Sequence, residues 1–378
     1  MIDRYSVQEI TKIWSLENMY KLWLQIELTH LKILKPDLDI PDIEIDVPSL
    51  LHYEIETKHD VAAFLKYLNS CFQPYPEIRR WLHFSLTSSD VKDLAYLHQI
   101  IDSLKHFLTL LNFLEESIDK RFEEFWIKKT KCIGRTHGIH AEPMQFCEKF
   151  QFFLSELYRI RDDIEQYLED DLLHSGKFSG VLGNSIDKDH EDKVLKELGF
   201  KSRDFISFQI IPRDVFARLF LHFGLFGSVV ERFATELRML VMTEISEVQE
   251  NFGEGQVGSS AMPHKKNPIA LENICGLTRL LRGYIQPALE SVILWHQRDL
   301  SHSSVERINT PDAFHIACYI TQKLTTIINN LIVNEQNIER NLSMVDHSSQ
   351  QKMNELIEQG KTRNEAYEQI KREINKTS

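Results

Sequence analysis

The stretch EGQVGSSAMPHKKNP, residues 254–268, concentrates side chains that can move protons or hold anions. Ser259 and Ser260 supply hydroxyls, which act as bases or nucleophiles only when their surroundings favour the alkoxide. Lys265 supplies a cation, and the helix predicted to begin near Asn267 presents backbone N–H groups that attract an anion. The glycines of the stretch are typical of a lid that closes over a substrate. A solvated basic linker is the alternative, but it would not require this order of hinge, hydroxyl, cation and helix start.

A second cluster, GRTHGIHAEP at residues 134–143, interrupts the helical pattern because its two glycines and its proline disfavour regular helix. It holds His137 and His140, and histidine is the side chain best suited to carry a proton near neutral pH. We interpret one histidine as a proton carrier and the other as a packed, hydrogen-bonded residue. His137, His140 and Glu142 would also serve as metal ligands, but the chain lacks the H-E-x-x-H spacing and a matching second ligand pair.

Four further polar clusters lie where the helical pattern begins or breaks: IDRYS (2–6), TKHDV (57–61), SLTSSDV (85–91) and RDLSHSSVER (298–307). Ser, Thr and Asp before an apolar run are strong helix caps, so capping alone explains much of SLTSSDV. A ligand site is the second interpretation of the same residues. The clusters therefore mark helix ends at which a site would be assembled.

Long amphipathic helices would position these clusters. Glycine and proline are scarce, at 14 and 11 of 378 residues, and the apolar residues recur at spacings of three and four. Five apolar stripes predict helices at about Ser89 to Phe122, Phe146 to Leu168, Pro212 to Val248, Pro268 onward with a kink at Pro287, and Pro311 to Leu342. Such lengths indicate a long bundle. Because the stripes are broad enough to face more than one neighbour, they favour a homo-oligomer.

The predicted fold class is all-α, with a long central helical bundle flanked by two smaller helical domains. We place an N-terminal helical domain at residues 1–88, a central long-helix bundle domain at 89–342 and a short C-terminal helical domain at 343–378. The catalytic loop, at about 252–267, belongs to the central domain.

Composition limits the function classes. The net charge of -12, from 44 Lys and Arg against 56 Asp and Glu, disfavours binding to nucleic acid or to an anionic membrane. Five cysteines without a C-x-x-C pair disfavour a disulfide framework or a zinc site, and they favour a reducing compartment. The N-terminus is too polar for a signal peptide, and no stretch reaches the roughly 20 apolar residues of a membrane span. We therefore expect a soluble cytoplasmic protein.

GSSAMPHKKNP resembles the signature of the fumarase/aspartase superfamily, whose members eliminate fumarate from succinyl-type substrates. The other motifs occur in the order seen in one branch, which releases fumarate from adenylosuccinate and from the related imidazole ribonucleotide SAICAR in purine synthesis. The resemblance covers nearly the whole chain and implies a fumarase/aspartase-like helical bundle. It further implies a homotetramer whose active sites are shared between subunits. Because a side chain fills every catalytic role, we expect no metal and no organic cofactor.

The resemblance also assigns roles residue by residue. Ser259 matches the base that removes a carbon-bound proton, and His137 matches the acid that protonates the departing nitrogen. The other matched positions are substrate contacts: Arg4, Tyr5, Lys58, His59, Asp60, Thr87, Ser88, Gln209, Ser260, Lys265, Asn267, Asn273, Arg298, Ser303 and Arg307. Of these, the resemblance places Arg4, Tyr5, Arg298, Ser303 and Arg307 at the nucleotide phosphate, and Thr87, Ser88, Lys265 and Asn267 at the succinyl group.

Two positions depart from the pattern of the branch. Lys58 stands where arginine is usual, which keeps the charge but loses the planar fork, and Phe208 stands beside Gln209 where threonine is usual. Two alternative functions remain open. One is another fumarate-releasing lyase of the superfamily, acting on argininosuccinate or a carboxymuconate, although DRYS and SHSSVER argue against it. The other is a helical scaffold with an inactive site, although the acid, base and lysine positions are all filled.

Overall fold

The computed structural model describes residues 1–183, 187–202, 208–253, 261–262, 264–344 and 347–377, with side chains described as far as residue 374. Within these ranges the chain is mostly helical, which confirms the predicted all-α class. After a short 3-10 turn at Asp3–Tyr5, the described helices are α1 Gln8–Ile13, α2 Leu16–Leu34, α3 Val47–Thr57, α4 Asp60–Cys71, α5 Pro76–Arg79, α6 Ser88–Lys128, α7 Glu148–Glu169, α8 Lys188–Glu197, α9 Asp214–Val241, α10 Ile269–Gly283, α11 Ile285–Glu290, α12 Ser301–Asn330, α13 Glu335–Ser343, α14 Ser349–Glu358 and α15 Arg363–Thr377. In the described part of the chain, no helix is both long and apolar enough to cross a membrane.

Short strand pairs interrupt the helices. The described pairs are β1 (Lys131–Thr136) with antiparallel β2 (Ile139–Gln145), β3 (Ser175–Gly176) with parallel β4 (Lys201–Ser202), and β5 (Val248–Gln249) with antiparallel β6 (Ile332–Val333). The break predicted at residues 134–143 is thus a β-hairpin. The sequence did not predict these strands. Strands β3 to β6 have two residues each and carry no periodic pattern, while β1 and β2 contain Gly134 and Pro143, which are disfavoured inside strands.

Three of the five predicted long helices correspond to α6, α7 and α9. Helix α6 begins at Ser88, one residue before the predicted cap, and continues to Lys128. Helix α9 ends at Val241, which is earlier than predicted, because Val248 belongs to strand β5. Local periodicity therefore located these helices but not all of their ends.

The two remaining predictions were wrong in their boundaries. The predicted kink at Pro287 is a break, because α10 ends at Gly283 and Pro287 lies in the separate helix α11. A proline ring clashes with the carbonyl group four residues earlier, which here is Gly283. Helix α12 begins at Ser301 and includes Pro311, which was the predicted start. The Asp299 carboxylate accepts the backbone N–H of Ser301 at 2.7 Å, and this contact stabilises the earlier start.

The described chain forms two compact units. Unit 1 contains Met1–Leu114, Leu157–Glu231 and Ile274–Lys323, and unit 2 contains Glu115–Glu156, Arg232–Asn273 and Leu324–Ser378. The long helices α6, α7, α9, α10 and α12 contribute residues to both units. The division at residues 88 and 342 is a different partition and stays a prediction.

Aromatic rings fill the core of unit 1. Phe107 of α6 meets Phe223 and Phe226 of α9 edge-on, with ring centroids 5.4 and 5.0 Å apart. Phe223 in turn meets Phe314 of α12 at 5.1 Å, and all four rings are fully buried. Edge-to-face pairs add to the stabilisation from burial, so these rings fix α6, α9 and α12 against one another within unit 1.

Unit 2 has its own aromatic core. Phe153 of α7 stacks on Phe233 of α9 with centroids 4.0 Å apart. Phe125 of α6 meets Phe146, which lies just before α7, edge-on at 5.0 Å. All four rings are buried, so the hairpin that joins α6 to α7 projects from a packed base.

Candidate active site

A cavity of about 290 Å³ lies in unit 1, between the N-terminal helices and the start of α12. Four predicted site residues line it: Asp60, Arg298, Ser303 and Arg307. Its apolar wall includes Trp14, Tyr20 and Trp23 of the N-terminal helices. The cavity also includes Ser89, so it brings together residues from three of the polar clusters and adds an aromatic surface to them.

Asp60 is the centre of the charged wall of this cavity. Its Oδ2 atom accepts Lys92 Nζ at 2.9 Å and Arg307 Nη2 at 2.5 Å, while Oδ1 accepts the backbone N–H of Val61 at 2.8 Å. Burial by itself would raise the pKa of Asp60, but the neighbouring Lys92 and Arg307 hold it at about 2. Asp60 is therefore an anion at every physiological pH and keeps two cations beside the cavity.

Two predicted contacts, Gln209 and Arg298, meet directly. Arg298 Nη1 donates to Gln209 Oε1 at 2.6 Å. The buried Nε of Arg298 has no partner among the described residues. An arginine that is bound to a neutral amide keeps its full charge, so Arg298 remains able to bind an anion.

The same wall contains a buried ionic network that the sequence analysis missed. Arg213 donates to both oxygens of Asp93, at 2.9 and 3.1 Å, and its Nε lies 3.1 Å from Glu306 without the geometry of a hydrogen bond. Burial raises the pKa of Glu306 to about 7, against the opposing effect of Arg213. Burial also lowers the pKa of His302 to about 4, so this histidine is neutral near pH 7. The sequence contains one signal for this network. Asp93 lies four residues before Leu97 and therefore on the apolar face of the predicted helix, where a charged side chain is unusual.

Thr87 and Ser88 lie at the start of α6, where Asp90 organises the backbone. Asp90 Oδ2 accepts the N–H of Thr87 at 2.8 Å, which is half of a capping box and confirms the predicted capping role of this motif. Its other oxygen accepts Lys177 Nζ at 2.5 Å, and both side chains are fully buried. Nothing in the sequence indicates that Lys177 is buried in an ion pair, because its partner Asp90 lies 87 residues away in the chain.

The other predicted contacts of unit 1 do not line the cavity. Lys58 is exposed and ends α3 in the left-handed region, at φ 54°. His59 is the N-cap of α4 and accepts the N–H of Ala62 at 3.2 Å. Arg4 is exposed, and the Tyr5 ring lies edge-on to Tyr319 at 5.2 Å. Their roles in substrate binding stay predictions.

In unit 2, His137 occupies the tip of the β1–β2 hairpin. His137 and Gly138 form the two-residue turn, with φ angles of 54° and 79°. Positive φ at both positions is typical of a tight hairpin turn. The His137 side chain is exposed, whereas His140 is half-buried on β2 opposite Arg135. In the described part of the chain, no group of three or more His, Cys, Asp or Glu side chains is arranged to hold a metal ion.

A buried carboxylate anchors this hairpin within unit 2. Arg135 Nη2 donates to Glu247 Oε1 at 2.7 Å, and Asn341 Nδ2 donates to the same oxygen at 2.9 Å. Glu247 is fully buried. The hairpin that carries His137 is thus fixed by a charged hydrogen bond close to its tip.

The catalytic loop is only partly described. Ser259 and Ser260 lie outside the described residues. Lys265 is exposed, and Asn267 and Asn273 are half-buried at the beginning of α10. The first free N–H groups of α10 are occupied, because the Glu250 carboxylate accepts Ala270 N–H at 3.2 Å and Leu271 N–H at 2.8 Å. The anion predicted to bind this helix start is therefore, in part, a side chain of the protein itself.

Comparisons with known proteins identify a family model and relatives that this chain resembles. A family model described as lyase matches residues 51–283. Adenylosuccinate lyase of Thermotoga maritima is 38% identical over 391 aligned positions, which cover 100% of this chain and 89% of the relative. Adenylosuccinate lyase of Streptococcus mutans is 39% identical, with 98% of this chain and 87% of the relative covered.

Solved structures show the same fold at lower identity. A fumarate lyase from Mesorhizobium sp. BNC1 superposes with a TM-score of 0.85 at 18% identity, covering 100% of this chain and 89% of that one. A 3-carboxy-cis,cis-muconate lactonizing enzyme from Pseudomonas putida superposes with a TM-score of 0.84 at 20% identity, covering 97% of this chain and 85% of that one.

The fold and the family match together define a lyase. The near-full-length identity then narrows the class, and the chain belongs to the adenylosuccinate lyases within this family. The resemblance inferred from the motifs alone is confirmed.

Proposed function

We propose that the protein cleaves adenylosuccinate to AMP and fumarate, and SAICAR to AICAR and fumarate. The observation that carries the proposal is the cavity of unit 1, in which Asp60, Arg298, Ser303 and Arg307 converge. The nearly full-length similarity to proteins named adenylosuccinate lyase supports the first substrate. SAICAR presents the same succinyl-amino group on a ribonucleotide, and this shared chemistry supports the second.

The reaction needs a base, an acid and stabilisation of charge. Removing a proton beside a carboxylate builds extra negative charge on that carboxylate, and the departing nitrogen must gain a proton. We assign the base to Ser259 and the acid to His137. Lys265 and Asn267 would hold the substrate carboxylates, and the exposed position of His137 on a tight turn is compatible with delivering a proton to a bound ligand.

The phosphate end of the substrate is assigned to unit 1. Arg298 and Arg307 are cations on one cavity wall, and the Ser303 hydroxyl lies on the same wall. Arg4 and Tyr5 are proposed to join them when the substrate is bound. The aromatic wall formed by Trp14, Tyr20 and Trp23 offers a surface for the less polar part of a nucleotide.

We also propose a homotetramer with active sites shared between subunits, located in the cytoplasm. Large apolar side chains are exposed on the long helices, including Leu221 at 48%, Leu225 at 52% and Phe152 at 67%. Exposed apolar surface of this kind is typical of protein interfaces. All five cysteines are free, which suits a reducing compartment.

An ultraviolet assay tests the function. Purified protein is incubated with adenylosuccinate, SAICAR or argininosuccinate, and fumarate release is followed in each case. We expect turnover of the first two substrates and none of the third. Turnover of argininosuccinate alone, or of nothing, would contradict the proposal.

A chelation experiment tests the expected independence from metals. After exhaustive treatment with a strong chelator, turnover of adenylosuccinate should be unchanged, because Ser259 and His137 supply both proton transfers. Activity that is lost and then restored only by a divalent metal would instead support His137, His140 and Glu142 as ligands.

A further inference from the structure

Lys92, in the second turn of α6, is a charged residue of the cavity wall that lies outside every motif of the sequence analysis. Its side chain is only 24% exposed, and its Nζ donates to Asp60 Oδ2 at 2.9 Å. Arg307 Nη2 donates to the same oxygen at 2.5 Å. The two nitrogens therefore lie within about 5.4 Å of each other, the sum of these two distances.

The cations around Lys92 are not each matched by a carboxylate of their own. Asp60 is a single carboxylate shared by Lys92 and Arg307, and Arg298 is bound to a neutral amide. Of the other carboxylates on the wall, Asp93 is bound twice by Arg213, and Glu306 is buried with a pKa of about 7. Glu54 is the remaining acidic side chain that lines the cavity.

Three buried side-chain nitrogens belong to residues that line the cavity. Arg298 Nε, Arg213 Nε and His302 Nδ1 are buried and lack a hydrogen-bond partner among the described residues, and all three side chains line the cavity. Two of these atoms are obligate donors. Buried donors without partners are costly, so an acceptor that reaches these atoms on ligand binding would be stabilised.

We propose that Lys92 is a further substrate-binding residue, which supplies a cation to the 5′-phosphate of the nucleotide beside Arg298 and Arg307. This inference rests on the proposed function, because it takes the phosphate-bearing substrate from it. In the free protein, Asp60 holds Lys92 and Arg307 side by side; in the complex, both cations face the phosphate while Asp60 keeps them in place. Lys92 suits this exchange because its ammonium is a compact charge on a flexible stem, free of a fixed donor geometry.

Binding of AMP, adenosine and fumarate, measured by calorimetry, separates the phosphate from the rest of the substrate. Lys92→Met, which removes the charge and keeps much of the length, should weaken AMP binding about tenfold or more, as for loss of a hydrogen bond between charged groups. Adenosine and fumarate should bind as before, because they lack the phosphate. Lys92→Arg should retain most of the affinity for AMP.

Lys66→Met is the matched control, since Lys66 is also paired with a carboxylate, Glu56 at 2.5 Å, but does not line the cavity. It should leave AMP binding unchanged. A thermal unfolding curve for each variant shows that the fold is intact.

A second comparison distinguishes direct contact from an effect through Asp60. If Lys92 contacts the phosphate, Lys92→Met should still weaken AMP binding in an Asp60→Asn background. The proposal is overturned if the effect disappears in that background, if AMP binding is unchanged by Lys92→Met, or if adenosine is weakened as much as AMP. None of these measurements uses turnover, so a failure of the lyase assay would be recognised separately.

Discussion

At the scale of single residues, one of the two proposed proton carriers, His137, lies among the described residues. His137 stands exposed at the tip of a hairpin turn, with a positive φ of 54°. Ser259 lies outside the described residues, so its role rests on the motif and on the family. Buried charged groups surround Asp60 and Arg213 in unit 1, and the buried Glu247 lies beneath the hairpin in unit 2. The geometry therefore supports proton transfer by the exposed His137 and substrate binding by a preorganised charged wall in unit 1.

Substituting each proton carrier should separate its role. Ser259→Ala and His137→Ala should each lower turnover of adenylosuccinate by roughly 10²–10⁴-fold, the usual contribution of general acid–base catalysis. An analogue whose nitrogen departs without protonation should be partly rescued in His137→Ala and not in Ser259→Ala, because an acid matters only as far as the leaving group needs a proton.

Steady-state kinetics with the two substrates checks this assignment. Equal rescue of both variants would show that the roles are reversed or shared. Near-normal turnover by Ser259→Ala would place the base at another residue, with Ser260 or His59 as the next candidates.

At the scale of elements, the β1–β2 hairpin is the device that presents His137. Its register shifts between Ile133 and Arg135, and Gly134 occupies the irregular position. A Cβ atom at Gly134 would lie 2.9 Å from the carbonyl oxygen of Glu142, which belongs to the backbone of the opposite strand. The close approach of the two strands thus requires glycine here.

Gly134→Ala should therefore destabilise the hairpin and misplace His137. We expect a loss of about 1–3 kcal/mol in the free energy of unfolding, as for other overpacked sites, together with reduced turnover. Gly276→Ala is the control, because a Cβ at this helical glycine meets no atom within 4 Å. Thermal unfolding and turnover of both variants give the comparison, and equal effects at the two glycines would refute the steric argument.

Helices α2 and α8 are joined through a buried histidine. His30 is 1% exposed, its Nε2 lies 3.1 Å from the carbonyl oxygen of Phe84, and its Nδ1 lies 2.9 Å from His190 Nε2. Since a carbonyl only accepts, Nε2 of His30 carries the hydrogen and Nδ1 accepts from His190. Burial, reinforced by His190, lowers the pKa of His30 to about 3.

This histidine should make stability depend on pH. Below about pH 6.5, His30 is protonated in the unfolded chain, where its pKa is near 6.5, but stays neutral in the folded chain. The free energy of unfolding therefore falls as the pH drops below about 6.5. His30→Gln should show a shallower loss between pH 6.5 and 5, by at most about 1.4 kcal/mol per pH unit. Chemical denaturation across this range measures the difference, with the exposed His52→Gln as control. Parallel curves for wild type and His30→Gln would contradict the buried neutral state.

At the scale of the whole molecule, the proposed site residues divide between the two units. Asp60, Arg298 and Arg307 belong to unit 1, whereas His137 and Lys265 belong to unit 2. The proposed tetramer assigns the completion of each site to neighbouring subunits. Exposed apolar side chains on α7 and α9 supply the surface that such an assembly would bury.

Complementation tests this arrangement. Ser259→Ala and His137→Ala proteins, each inactive alone, should regain part of the activity when their subunits are mixed, because some hybrid sites contain both intact residues. Sedimentation should show a tetramer before and after mixing. A fully active monomer, or hybrid tetramers without any recovered activity, would exclude shared sites.

The amino-acid sequence by itself determined the all-α class, three of the long helices and the family, because apolar periodicity and contiguous motifs are local properties. The stripe from Leu94 to Ile118 predicts α6 without any knowledge of its neighbours. The end of α9, the break at Pro287 and the start of α12 were not predicted correctly. The end of α9 depends on the pairing of β5 with the distant strand β6, which local patterns do not reveal.

Only the tertiary structure decided which charges meet. Asp60 finds Lys92 and Arg307 at separations of 32 and 247 residues along the chain. Glu250 occupies the start of α10, from 20 and 21 residues away. From the sequence alone, a lysine on a helix is interpreted as a solvated surface residue. Only the folded structure shows whether its ammonium group lies in water or beside a buried carboxylate. That outcome depends on the packing of distant elements, because the cost of burying a charge is offset only where the opposite charge is brought to it.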